Sequence, residues 1–471
     1  MNKPDSIDRY LIPYSWPCRG ITPAQKQKLT SSFMIWNPHC FVLNDPGTGK
    51  TISTLWAADF LMSTKPRYAI KALVLAPLST LKEVWFNEIC RHLFPNRSAA
   101  IVHGNTKKRL KKLSEEVDFY IINYDGIKIP QVAIEIEKRT DIKIVVIDES
   151  TAYSEGNTDR HAQATRLLRK RPFMWMLTGT PVIRSHLAAH GQAKLMHPGY
   201  TESRSKFKER TMVNRGLHKW EPQPWAYDEA RKLLKPAIRV PRRAMHDLPP
   251  SIPMQYEAPF SEAQHKLYNE LKKQYRAATS GGATISAVHE GALRLKLLQI
   301  AAGAVYDSKG VGHVIDCKPR LELLSGLIRE SPDKLLVFAS FTCVLEMLFS
   351  HFRKLIPSAF VNGSISLKAR SQIFHDFQNG DHLRVIFADP GTMSHGLTLT
   401  AATTAVWWTP TDKAEVYTQA NYRIDRPGKI KDTYTAQISG CPVEREIFSR
   451  LEKLQSLEGA MMKLIEKEGL E

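Results

Sequence analysis

The chain has no C-x-x-C pair. Its six cysteines (Cys18, Cys40, Cys90, Cys317, Cys343, Cys441) are scattered through 471 residues. That distribution supports neither a zinc site nor a disulfide framework, and it points to a reducing compartment. No uncharged apolar stretch is long enough to span a bilayer, and Met1-Asn2-Lys3-Pro4-Asp5 opens no secretion signal. Low-complexity tracts are also missing. Acid is in short supply: Asp+Glu total 47 against Lys+Arg 66, a net charge of +19, and the isoelectric point is about 9.5. Such an excess favours a polyanionic partner, nucleic acid being the commonest, although charge that only maintains solubility has the same balance. The expectation is a soluble, intracellular protein without membrane association.

A chain of this length exceeds a single core, so two or three domains are expected. From 41 to 181, short apolar runs alternate with helix-length amphipathic stretches. The runs are Phe41-Val42-Leu43, Ala72–Ala76, Phe119–Ile122, Ile144–Ile147 and Met174–Leu177. Runs with so little polar alternation suit strands buried on both faces, as in parallel sheets, with crossover helices between them. The texture returns at Leu335–Ala339, Val385–Ala388, Ala405–Trp408 and Thr433–Ala436, with a last helix over about 443–467. Trp407-Trp408, inside such a run, reads as core rather than as a base-stacking platform. Between the two regions, 186–250 is rich in Lys, Arg, His, Pro and Trp. Residues 261–300 look helical, with a break at Ser280-Gly281-Gly282. The fold class is therefore α/β, with two doubly wound parallel-sheet lobes at 1–186 and 316–471 and a helical insert and linker at 187–315.

A phosphate-binding loop needs small residues that let backbone N–H groups face oxygens, a Lys for the β and γ phosphates, and a hydroxyl for Mg²⁺. Gly47, Thr48, Gly49, Lys50 and Thr51 supply these after the first strand, with Asn44 where the strict pattern has its first glycine. Asp148-Glu149 ends a buried run and so lies at the carboxyl edge of a strand, where open α/β sheets bind ligands. There Asp148 suits Mg²⁺, held with Thr51, and Glu149 suits polarisation of an attacking water. Thr178-Gly179-Thr180-Pro181 ends the next run and could sense a γ-phosphate; a simple turn reads the same. Arg423 and Arg426, three apart on an expected helix, share one face and could neutralise charge on a transferring phosphoryl group. If they reach the triphosphate held by Lys50, hydrolysis is coupled to relative motion of the lobes.

This order of motifs resembles the Swi/Snf-type branch of the superfamily-two helicases, over about residues 20–465. Gln25 resembles the adenine-reading glutamine. Ala76-Pro77-Leu78-Ser79-Thr80-Leu81 with Trp85 and Glu88 resembles the first nucleic-acid-contact motif. Leu177–Pro181 matches the third motif, while Arg242-Arg243 and Asp247-Leu248-Pro249-Pro250 resemble the linker. Gly396–Ala402 matches the fifth motif and Gln419–Gly428 the sixth. The resemblance implies tandem RecA-like lobes, ATP and Mg²⁺ as cofactors, Gln419 at the nucleotide, and nucleic-acid contacts at Pro77, Ser79, Ser340, Gly396 and Thr398. Three departures stand out: Asp148-Glu149-Ser150-Thr151 in place of Asp-Glu-x-His, Met393-Ser394 in place of a glycine pair, and Arg184 near an expected Asn.

The function implied is an ATP-dependent motor, a double-stranded DNA translocase compatible with a monomer. Without chromatin-reading modules, the core resembles a viral or bacterial member, placed in the cytoplasm (the host's if viral), with the nucleus as the alternative. The rival readings are a strand-separating or branch-migrating helicase in recombination or repair, a non-catalytic nucleic-acid-binding scaffold, and an RNA-polymerase-associated factor.

Overall fold

The computed structural model describes residues 11–468, apart from 21, 65–69, 217–219, 246–248, 281–286, 394–398 and 427–428. The chain forms two compact units. One comprises Met1–Asp247 together with Leu454–Glu471, the other Leu248–Lys453. Among the described residues no helix is long and apolar enough to cross a membrane.

The first unit is built on seven parallel strands: β1 (His39–Val42), β2 (Lys71–Ala76), β3 (Ala99–Val102), β4 (Phe119–Asn123), β5 (Ile142–Asp148), β6 (Phe173–Leu177) and β7 (Ala237–Ile238). Their order is β3-β4-β2-β5-β6-β1-β7. The apolar runs are continuous because both faces are covered. On β5, Val145 and Ile147 point into one core, while Ile144 and Val146 point into another. On β2, Leu73 and Leu75 divide from Ala72, Val74 and Ala76 in the same way.

The second unit has six parallel strands: β8 (Ser251–Glu257), β9 (Lys334–Phe338), β10 (Ser358–Val361), β11 (Val385–Ala388), β12 (Ala402–Trp407) and β13 (Thr433–Ser439). They are ordered β8-β13-β12-β9-β11-β10. Two tandem doubly wound lobes are thus present, as the periodicity predicts, and Trp407 and Trp408 are fully buried. The unit closes around an ion pair. Arg320 and Glu444 are almost entirely buried, with Nη2 2.9 Å from Oε1 and Nη1 3.1 Å from Oε2. Arg320 also donates to the carbonyls of Ala301, Ile438 and Trp408. Glu444 lies in the first turn of the helix Pro442–Glu468, where a carboxylate complements the helix dipole.

Two boundaries differ from the sequence reading. Residues 187–247 belong to the first unit rather than to a separate insert. The helix Ala188–Met196 sends Ala189, Leu195 and Met196 into the same core as β5, and Ala230 and Leu234 join them. The chain then returns to the sheet as β7. The linker stretch 251–257 becomes the edge strand β8 of the second sheet, paired along its whole length with β13. β7 is only two residues long and β8 is mixed in polarity, so periodicity alone does not reveal them. The expected helical region resolves into Glu262–Ser280 and Ala287–Ala302; Gly281 and Gly282 of the expected break lie outside the described residues. The last helix spans Pro442–Glu468, and its Met461, Met462 and Ile465 pack in the first unit's core.

Candidate active site

The loop between β1 and the helix Lys50–Thr64 turns through two glycines with positive φ, Gly47 (85°) and Gly49 (83°). At a φ of 83° a side chain on Gly49 would be strained, and its Cβ would also displace the Gln27 amide, 2.2 Å away. Gln27 Nε2 donates to the Thr48 carbonyl at 3.2 Å, and the Thr48 hydroxyl donates to the Asp45 carbonyl at 2.8 Å. Gln27, missed in the sequence, is therefore the glutamine that supports the loop; Gln25 is exposed at the first position of its helix.

Lys50 Nζ donates to the carbonyls of Asn44 (2.8 Å) and Asp45 (3.2 Å). Burial lowers its pKa, while Glu149, Asp148 and Asp45 act in the opposite direction. The lysine and both motif carboxylates thus share one electrostatic environment at the carboxyl edge of the sheet, from β1 and β5.

Asp148 is held on both oxygens. The Trp85 indole Nε1 donates to Oδ2 at 2.9 Å, and the Glu149 backbone N–H donates to Oδ1 at 3.1 Å. The Tyr124 hydroxyl donates to the Asp148 carbonyl at 2.5 Å; burial, with Asp148 and Glu149 nearby, raises the pKa of that phenol well above its ordinary value. Trp85 is fully buried in a single π-helical turn, Leu81–Phe86, a geometry often found at functional sites. Glu149 has φ 47° and ψ 60°, a left-handed conformation that costs a non-glycine residue about 1–3 kcal/mol and clusters at active sites. The oxygens of Thr51 and Asp148 are hard ligands, and the two N–H bonds fix the Asp148 carboxylate. This donor set fits Mg²⁺ shared with phosphates.

The turn after β6 packs on the phosphate loop. A Cβ at Gly179 would meet Pro46 Cδ at 2.8 Å and the Asn44 carbonyl at 3.4 Å. Thr180 N–H donates to Thr178 Oγ1 at 3.2 Å, and both threonines are buried. The carboxylate motif and this turn are joined by a residue that sequence reasoning overlooked. Ser150 Oγ donates to Gln192 Oε1 at 2.7 Å, and Gln192 Nε2 donates to the Pro181 carbonyl at 2.8 Å. A fully buried glutamine from the following helix thus links two motifs in a chain that lacks the usual histidine.

In the second unit, the helix carrying Gln419 runs Ala414–Asn421 and stops with Tyr422 as its C-cap. Arg423 and Arg426 therefore lie past the helix end, not on one helical face. The Arg423 carbonyl accepts from Leu399 N at 3.0 Å, and Arg426 precedes a proline, a position that disfavours helix. Arg423 and Gln419 are buried. Lys429, also missed, donates to the carbonyls of Thr400 and Ala402 at 2.7 Å each. Of the expected nucleic-acid contacts, Pro77 precedes the 3₁₀ turn Leu78–Thr80 with Ser79 exposed on it. Ser340 is exposed just past β9, its N–H donating to Thr409 Oγ1 at 2.8 Å. Gly396 and Thr398 lie outside the described residues.

The SNF2-related domain model matches residues 31–301, and the helicase conserved C-terminal domain model matches 319–428. Protein p41 of Acyrthosiphon pisum secondary endosymbiont phage 1 is 26% identical over 414 residues, covering 81% of this chain and 83% of its own. The TATA-binding protein-associated factor mot1 of Aspergillus fumigatus is 23% identical over 468 residues; the match covers 85% of this chain but only 24% of mot1. Among solved structures, the Sulfolobus solfataricus SWI2/SNF2 ATPase core in complex with dsDNA is similar with a TM-score of 0.44 and 21% identity, over 97% of each chain.

Proposed function

Because the chain belongs to the SNF2-related family, with a helicase conserved C-terminal domain in its second half, we propose that it is an ATP-driven motor that tracks double-stranded DNA. The observation that carries this reading is that the phosphate loop with Lys50 follows β1 and the pair Asp148-Glu149 ends β5, at the carboxyl edge of one parallel sheet. In it, the loop Gly47–Thr51 cradles the triphosphate and Gln25 and Gln419 hold the nucleotide. Glu149 orients the attacking water and accepts its proton. Thr51 and Asp148 would hold Mg²⁺, which neutralises phosphate oxygens when bound. Arg423 and Arg426 stabilise the charge that spreads over the γ-phosphoryl oxygens in transfer. Pro77, Ser79, Ser340, Gly396 and Thr398 contact the nucleic-acid backbone. Backbone contact needs no base-reading motif, and the charge of +19 suits it.

The test is ATP hydrolysis measured with duplex DNA, single-stranded DNA, RNA and no nucleic acid. Duplex DNA is expected to stimulate most, and the stimulation should fall steeply with salt. Equal rates in all four conditions would overturn the motor reading. Displacement of the third strand from a triplex, without opening of a forked duplex, separates translocation from strand separation.

A further inference from the structure

Asn44 and Asp45 occupy the positions just ahead of the phosphate-loop glycines, and each faces two ways. Their carbonyls accept from Lys50 Nζ. Their side chains bind the chain around and beyond β7, almost two hundred residues later. Asn44 Oδ1 accepts from Val240 N at 2.9 Å, and Asn44 Nδ2 donates to Thr30 Oγ1 at 2.9 Å. Asp45 Oδ1 accepts from Arg239 Nη2 at 2.5 Å, and Oδ2 accepts from Arg242 N at 2.9 Å. Arg239 Nη1 also donates to the Leu43 carbonyl at 2.5 Å, and the Asp45 backbone N–H donates to the Val240 carbonyl at 3.0 Å. The Arg239–Asp45 pair is largely buried, at 11% and 13% side-chain exposure.

We infer that Asn44 and Asp45 are a junction through which the phosphate loop sets the position of segment 239–243, with Arg239 as a positioning residue for nucleotide binding. The inference rests on the ATP-site reading above. Lys50 Nζ spends two of its three N–H donors on these carbonyls, so a β- or γ-phosphate that draws the ammonium toward itself alters the pull on both. Those carbonyls belong to the residues whose side chains hold the segment, so a shift of the loop is felt at Arg242. Arg239 has a second effect. It neutralises the Asp45 carboxylate, which would otherwise repel an incoming triphosphate. Its planar fork spans a carbonyl and a carboxylate together, which a lysine cannot reproduce.

Two measurements on the full chain test this. The first is the dissociation constant of a fluorescent ATP analogue. Arg239→Gln is expected to raise it about tenfold, within the range of intersite couplings. Arg239→Lys should raise it less, and Arg239→Gln/Asp45→Asn should recover part of the loss by removing the unpaired carboxylate. A purely structural role predicts lowered thermal stability with no such recovery, and that result overturns the electrostatic part. The second is the rate of tryptic cleavage at Arg242 and Arg243 with and without a non-hydrolysable ATP analogue. The wild type should change its cleavage rate on binding, and Asp45→Ala should not. If the wild type binds nucleotide but its cleavage rate is unmoved, the junction is overturned while the ATP site stands. If the wild type binds no nucleotide, the ATP-site reading itself fails.

Discussion

The indole Nε1 of Trp85 donates to Oδ2 of Asp148 at 2.9 Å, joining the π-helical turn that follows Pro77 and Ser79 to the carboxylate expected to hold Mg²⁺. Trp85→Phe keeps a ring in the buried pocket but removes the donor. Outer-shell partners of a ligating carboxylate are worth about 10–100-fold in metal affinity. The substitution should therefore raise the Mg²⁺ concentration for half-maximal hydrolysis about tenfold, with a small change in melting temperature. An unchanged Mg²⁺ titration would show that the bond only packs the turn.

Glu149→Gln should abolish hydrolysis, lowering kcat by at least about 10²-fold, the lower range for a positioned general base. ATP-analogue affinity should be retained. Single-turnover hydrolysis alongside equilibrium binding separates the two. A parallel loss of kcat in Arg426→Ala, again with binding retained, is expected if the guanidinium acts in the transition state.

Glu444→Gln removes the charge facing Arg320 in the second unit's interior. An uncompensated buried arginine should destabilise that unit by about 3–5 kcal/mol, read as a lowered urea midpoint. Arg320→Met combined with Glu444→Gln should recover part of the loss, because neither charge then remains buried.

His186 is buried and desolvated, which pulls its pKa from 6.5 down to about 4; its Nε2 lies 2.8 Å from Thr211 Oγ1. Burial also lowers the pKa values of His161, His190 and His197. Between the folded and unfolded values, the unfolded chain binds more protons, so stability falls as pH falls from about 6.5 to about 4. The melting temperature should drop by several degrees over that window, and His186→Gln should make the drop shallower. A pH-independent melting temperature there would rule out this contribution.

The strands that bear the motifs were legible from sequence because their information is local. An uninterrupted run such as Ile144–Ile147 suits a strand covered on both faces, and the carboxylates that follow such a strand emerge at its edge. The phosphate loop was legible for the same reason: its backbone turns need glycine at Gly49. Arg423 and Arg426 show the limit. Their spacing suits a helix, yet the helix ends with Tyr422 as its C-cap, and beyond it the Arg423 carbonyl accepts from Leu399 N, distant in sequence.

By itself, then, the sequence determined which segments are strands, which residue types stand at their carboxyl ends, and that two such sheets occur in tandem. Tertiary structure alone decided which side chains serve those ends: Gln27 on the Thr48 carbonyl of the phosphate loop, Trp85 on Asp148, Gln192 between Ser150 and Pro181, and Arg239 on Asp45. The physical reason is one of range. Periodicity and turn chemistry are set by a residue's neighbours in the chain, whereas a buried polar group takes whichever partner the strand order β5-β6-β1-β7 brings within 3 Å, however distant in sequence.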